Sequence, residues 1–203
     1  MSTFKICIYG RGGQGAKSAA QFIVEAALME KKFIQAFPEY GPERFGAPVV
    51  AYVRISDQEI LTHEPILRPK AVLVLDEDLI EIIDVAKGLE KNGVLIINSS
   101  KKRNPLNPSP FFGKKVRGKS SDVSSEDLNA RSVYFLDASK IALEFIKKDK
   151  PNTAMLGALV KITQIIKLEN LIKVIKKHFL AKLGEKEAMA NVMAMREGNK
   201  YNF

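Results

Sequence analysis

The sequence predicts an α/β sandwich in a single domain spanning 1–203, with a mostly parallel sheet, helices on both faces and a helical carboxy-terminal region. Three observations lead there. Short β-branched runs alternate with segments whose apolar residues recur at helical spacing. Two of the runs, Ala71–Asp76 (AVLVLD) and Val94–Asn98 (VLIIN), are apolar nearly throughout, as strands buried on both faces are. The first run passes through a cluster of glycines straight into a helical pattern.

In chain order, Lys5–Tyr9 (KICIY) reads as a strand stopped by glycine, and Lys17–Lys32 as a helix with Ala20, Ile23, Val24, Ala27 and Leu28 on one side. Phe33–Phe37 is a second strand, which Pro38 is expected to end. Residues 38–48 (PEYGPERFGAP) hold three prolines and two glycines and are expected to form a loop of defined shape. Val49–Ser56 resumes as a strand, and Asp57–Gln58 suggests a hairpin returning through Glu59–Thr62. After Ala71–Asp76, the spacing of Leu79, Ile82, Ile83, Ala86 and Leu89 predicts a helix over Asp78–Leu89, followed by the strand Val94–Asn98. Val133–Ala138 is a further strand, and Ser139 is expected to cap a helix running to about Lys147. Helical patterns then fill Asn152–Ile166, Glu169–Leu183 and Glu185–Gly198. This succession resembles a Rossmann-like, dinucleotide-binding fold.

With 46% hydrophobic and 27% charged residues, the chain has the balance of a globular protein. At this length a fold buries about 70% of the surface its unfolded chain exposes, so no staple is needed. The one cysteine, Cys7, excludes an internal disulfide, an iron–sulfur cluster ligated by this chain alone and a cysteine-rich zinc site. It agrees with a reducing, cytoplasmic location, and neither a secretory leader nor a membrane span is expected. Lysine and arginine number 32 against 23 aspartates and glutamates, a net charge of +9 that favours an anionic partner. Nucleic acid is not expected as that partner, because aromatics are 8% and no recognition motif is present. Part of the basic surplus is concentrated in 99–121, where seven basic residues, no acid, three prolines and two glycines suggest an exposed insertion.

Gly10-Arg11-Gly12-Gly13-Gln14-Gly15 fits GxGxxG directly after a strand and before a helix, the context in which that pattern has a mechanism. The glycines permit positive φ and a close backbone approach, while the amides of the helix start favour an anion. A nicotinamide dinucleotide also requires an acid at the end of the second strand; Glu39 is the nearest and follows a proline inside a loop. Gly15-Ala16-Lys17-Ser18 lacks Walker spacing. In the second motif, Glu39-Tyr40-Gly41-Pro42-Glu43-Arg44, a carboxylate, an aromatic ring and a guanidinium sit on a proline-stiffened loop suited to binding or to an interface. His63 and His178 have no nucleophile pattern beside them and read as structural. No catalytic residue and no metal site is assigned.

These motifs, GRGGQGA after strand one, EYGPERFGAPV followed by AYVRISD, and Pro151–Leu159 (PNTAMLGAL) opening the last helices, resemble the gamma chains of the pyruvate:ferredoxin oxidoreductases. More broadly they resemble the gamma domain of the 2-oxoacid:ferredoxin oxidoreductases, over roughly residues 4–200 apart from the basic insertion. The resemblance implies one subunit of an enzyme that oxidatively decarboxylates a 2-oxoacid, passes electrons to ferredoxin or flavodoxin and transfers the acyl group to coenzyme A. It further implies thiamine diphosphate, Mg2+ and [4Fe-4S] clusters on the alpha, beta and delta partner chains, with coenzyme A at or near this one. Gly10, Gly12, Gly13, Gln14 and Gly15 match the family's glycine motif. Glu39, Tyr40, Gly41, Pro42, Glu43 and Arg44, with Gly46 and Pro48, match its second motif, and Phe45 stands where the family usually carries a second arginine.

Overall fold

A computed structural model describes residues 3–40, 47–101 and 132–203. Six strands form one mixed sheet: β1 Phe4–Arg11, β2 Phe33–Tyr40, β3 Pro48–Ser56, β4 Ala71–Val74, β5 Val94–Asn98 and β6 Ser132–Leu136. Their order is β2-β3-β1-β4-β5-β6. The run β1-β4-β5-β6 is parallel, while β3 lies antiparallel to both β1 and β2.

The first face of the sheet carries Ile6, Ile8, Val53, Ile55, Leu73 and Ile96 against a helical layer. That layer contains α1 Ala16–Leu28, α3 Ala138–Phe145, α4 Asn152–Thr163, α5 Leu168–Leu183 and α6 Glu185–Lys200. Strand alternation sends Cys7, Tyr52, Val72, Val74, Leu95 and Ile97 to the second face. There the cover is different. Among the described residues it consists of a one-turn helix, α2 Leu79–Ile82, and non-helical chain contributing Ile66, Val85, Ala86 and Leu89.

Helices α4 and α6 approach closely because small residues face each other. A Cβ on Gly157 would lie 2.0 Å from the Met195 carbonyl oxygen, and one on Gly198 2.0 Å from that of Ala154. Asn199 Nδ2 donates to the Gly157 oxygen across this seam at 3.0 Å. The alanine- and methionine-rich tail closes the domain with Ala188, Val192, Ala194 and Met195, and leaves Met189 and Met193 exposed on its other side.

Several expectations are corrected. Pro38 lies within β2, opposite Ala51, where a residue without an N–H is tolerated because β2 is the outermost strand. No strand forms over Glu59–Thr62; residues 59–70 cross the second face irregularly, held by Arg54 Nη2 donating to the Glu64 oxygen at 2.5 Å. The helix expected over Asp78–Leu89 stops after one turn, because Ile83 is extended (φ −126, ψ 136) and Gly88 takes φ +73. Those turns bury Val85, Ala86 and Leu89 without a helix, while Ile82 is left 55% exposed. Asp137, not Ser139, caps α3, accepting from Lys140 N at 2.9 Å. Ser139 instead joins strand to helix: it accepts from Asn98 Nδ2 at 2.9 Å and donates to Asp149 at 2.8 Å. The basic stretch 99–121 lies outside the described residues from 102 onward.

Candidate functional site

The glycine turn leaves the carboxyl end of β1 and enters α1. Gly13 and Gly15 adopt φ +92 and +90, conformations that side chains disfavour. At Gly10 a Cβ would press on Leu75 Cδ1 at 3.3 Å and Ala16 Cβ at 3.4 Å, so its absence lets strand and helix meet. Gly15 occupies the N-cap of α1 without a side-chain cap, and no acid stands in the first turn. The amides of Ala16, Lys17 and Ser18 therefore lack intrahelical acceptors and carry the positive end of the helix dipole. Gly12, Gly13 and Lys17 are exposed beside them.

One carboxylate fixes this turn. Asp76, just beyond β4, accepts from Arg11 Nε at 2.9 Å and Gln14 Nε2 at 3.0 Å, both on Oδ2, while Oδ1 accepts from Asp78 N at 3.1 Å. Gln14 also turns back on its own strand, its Oε1 accepting from Arg11 N at 2.7 Å. The position of Asp76 has a topological cause. After β1 the chain crosses to the first face as α1, and after β4 to the second face as α2, so the adjacent carboxyl ends of β1 and β4 form the crevice where open α/β sheets take ligands.

The third motif abuts the first. Lys150 Nζ donates to the Gly13 oxygen. Asn152, opening α4, places Nδ2 3.4 Å from the Gly15 oxygen, and a Cβ on Gly15 would lie 2.4 Å from that nitrogen. Neither residue was singled out individually in the sequence reading, although Asn152 lies within its third motif. The third motif thus supplies the wall against which Gly15 must be glycine.

The second motif starts beside the first because of sheet register. Arg11 pairs with Pro48, Gly10 with Val49, and Val49 in turn with Tyr40. Gly41, Pro42, Glu43 and Arg44 lie outside the described residues, as do Phe45 and Gly46, so the two flanks of the loop are what the structure places. At the first flank Glu39 Oε2 accepts from Tyr52 Oη at 2.8 Å. Burial, and then that bond, push the Tyr52 hydroxyl well above the ordinary phenol range. Burial does the same to Tyr9, helped by nearby Cys7 and the carboxylates of Asp84 and Glu39. Glu39, the acid a dinucleotide ribose would need, is engaged by Tyr52.

The other candidate groups lie away from this end. Cys7 is buried on the second face, where burial pushes its thiol up to about 12 despite the Arg54 guanidinium. His178 packs edge-on against Phe22 at 4.8 Å, and burial, then Lys182, lower its pKa. His63 is exposed and accepts from Gln35 Nε2 at 2.6 Å. Among the described residues no group of three or more His, Cys, Asp or Glu side chains is placed to hold a metal, and no helix is long and apolar enough to cross a membrane. The arrangement offers backbone amides, Lys17 and Lys150 to a polyanion. It shows no nucleophile paired with a base.

Comparison with known proteins gives this arrangement its context. Residues 5–201 match the family model described as pyruvate ferredoxin/flavodoxin oxidoreductase. The pyruvate synthase subunit PorC of Methanothermobacter thermautotrophicus is 39% identical over 196 residues, covering 97% of this chain and 96% of that one. The crystal structure of pyruvate oxidoreductase subunit PORC (EC 1.2.7.1) from Thermotoga maritima superposes with a TM-score of 0.74 at 36% identity, covering 98% and 97% of the two chains. The 2-oxoglutarate:ferredoxin oxidoreductase of Magnetococcus marinus, solved with 2-oxoglutarate, coenzyme A and succinyl-CoA bound, shares the fold at a TM-score of 0.73. Its identity is 18%, and the match covers 98% of this chain but 30% of that longer one.

Proposed function

The chain belongs to the pyruvate ferredoxin/flavodoxin oxidoreductase family, and on that premise we propose that it is the gamma subunit of a pyruvate-type 2-oxoacid:ferredoxin or flavodoxin oxidoreductase, contributing a coenzyme A site and subunit contacts. The observation that carries the reading is convergence. Motifs separated by more than a hundred residues meet at one end of the sheet, around the carboxyl ends of β1 and β4.

Coenzyme A fits the residues present. Gly13 is open on its outer side, where a Cβ would meet nothing nearer than Lys150 Nζ at 3.9 Å. The amides at the start of α1 would hold the diphosphate, with Lys17 and Lys150 adding charge. The exposed face of the Gly12–Gly13 backbone would let the diphosphate approach, with Glu39, held by Tyr52, on the strand beside the turn. When bound, coenzyme A supplies the thiol that takes up the acyl group.

Thiamine diphosphate, Mg2+ and the [4Fe-4S] clusters belong in this reading to alpha, beta and delta partner chains, since one buried cysteine cannot ligate a cluster. Its setting is the cytoplasm. The test is affinity capture of the chain from its own cells, with mass spectrometry of the co-purifying chains and a coenzyme-A-dependent pyruvate:viologen assay on the eluate. A thiamine-binding chain and a cysteine-rich ferredoxin-like chain, with activity, are expected. A monomer recovered without them refutes the reading.

A further inference from the structure

Both carboxylate oxygens of Asp76 are engaged within the chain. One oxygen receives Arg11 Nε and Gln14 Nε2, the other receives the Asp78 amide, and the side chain is 15% exposed. The residue stands level with the turn because Tyr9 pairs with Val74 and Leu75 N donates to the Tyr9 oxygen at 2.8 Å. The two residues it holds are the second and fifth of the six in the glycine motif. Arg11 and Gln14 are also joined directly, by Gln14 N donating to the Arg11 oxygen at 3.1 Å and by the Gln14 side chain returning to Arg11 N.

We propose that Asp76 is the positioning residue of the coenzyme A site: its carboxylate, held between Arg11 and Gln14, presets the turn so that the α1 amides face the diphosphate before it arrives. This rests on the coenzyme A reading above. Asp76 does not touch the ligand. It acts through the two side chains that brace the turn, and it keeps the Arg11 guanidinium paired, so that the diphosphate is taken by oriented amides that need no rearrangement. The ligand class follows from that geometry. A diphosphate presents several oxygens to a row of amides, whereas a carboxylate presents two.

The experiment uses the purified complex carrying Asp76→Asn, with Gly13→Ala as a second variant that perturbs the turn independently. Hydrogen exchange at the amides of residues 12–18 is read without ligand, and KM for coenzyme A, KM for pyruvate and kcat are read on each complex. Loss of charge-assisted bonds at a partly buried site predicts a rise in KM for coenzyme A of about ten-fold, with pyruvate KM and kcat within about two-fold, and faster exchange confined to the turn. Unchanged exchange overturns the proposal, whether KM rises or not, because Asp76 then does not preset the turn. So does a fall in kcat accompanied by equal rises in both KM values, which marks a merely structural role. If exchange quickens while neither variant moves the coenzyme A KM, the brace stands but the coenzyme A assignment falls.

Discussion

Replacing Gly157 by alanine tests how tightly the α4–α6 seam is packed. The added Cβ would sit 2.0 Å from the Met195 carbonyl oxygen and 2.8 Å from Asn199 N, where real Cβ contacts are not shorter than 3.0 Å. The obstacles are backbone atoms of a buried helix, so no side chain can swing away. The helices must part by about 1 Å at this point, loosening a seam in which Ala154, Ala158, Ala194 and Met195 are all fully buried. Overpacking of this kind costs up to about 3 kcal/mol, and alanine returns about 1 kcal/mol of helix propensity, leaving a net loss near 2 kcal/mol. For a chain of this size that lowers Tm by about 4–8 °C. The assay is thermal unfolding of the purified chain followed by circular dichroism, with Gly198→Ala and the double variant in parallel. Because both clashes are relieved by one opening, the double variant should lose less than the sum of the singles. A Tm that holds or rises for Gly157→Ala would refute the reasoning, since propensity alone would then be acting and the seam would not be tight.

Three further outcomes follow from the same contacts. Gly15→Ala should raise the coenzyme A KM of the complex by about ten-fold, because φ +90 is strained for alanine and its Cβ would strike Asn152 Nδ2; adding Asn152→Gly should recover part of that loss by removing the obstacle. Cys7, raised from 9.0 to about 12 in the folded chain, stabilises the fold below pH 9, and that contribution fades as pH climbs through 9 toward 12, because the unfolded thiol releases its proton first. Its share of the slope approaches about 1.4 kcal/mol per pH unit, and urea titrations across that range should show a shallower decline for Cys7→Ala. Asp137→Ala removes the cap of α3 and should cost about 1 kcal/mol in the same titration, while Ser139→Ala leaves the cap bond with Lys140 in place.

The strands that were legible owe it to burial. Ala71–Val74 and residues 95–97 are covered on both faces, so these residues are all apolar and the pattern admits no competing reading. The failures occurred where tertiary position overrides local pattern. Pro38 marks the end of a strand unless that strand is outermost, and strand order is not written locally. Residues 79–89 have the spacing of a helix, but their apolar side chains reach the second face through turns built around Gly88, whose Cβ would lie 1.9 Å from the Leu67 oxygen. In the site, the glycines were legible because positive φ and close approach leave a residue-type signature. Asp76 left none, reading as the end of a strand, although an acid just after a buried parallel strand next to a glycine turn is the signal that could have found it. Asn152 stood inside a quoted motif without a role, since its contact with Gly15 spans 137 positions.

The charge of the chain and the charge of the site are separate matters, and the separation bears on how the site recognises its ligand. A net charge of +9 invites the expectation that cations attract an anion, yet the guanidinium within the glycine turn is paired with Asp76 and the ammonium of Lys150 donates to the Gly13 oxygen. In the sequence, part of the surplus lies in the basic stretch 99–121, outside the three motifs. Beside the charge of Lys17 and Lys150, the turn therefore presents a set of oriented dipoles, fixed by Gly13 and Gly15 at positive φ, by the Asp76 brace on one side and by Asn152 on the other. Dipoles fixed in this way discriminate by position, because a misplaced anion loses several amide contacts together, whereas mobile surface lysines attract any anion within a screening length. The same dependence on position explains why distant parts of the chain must be held so closely: a shift in α4 moves Asn152, Asn152 bears on Gly15, and Gly15 caps the helix whose amides face the ligand.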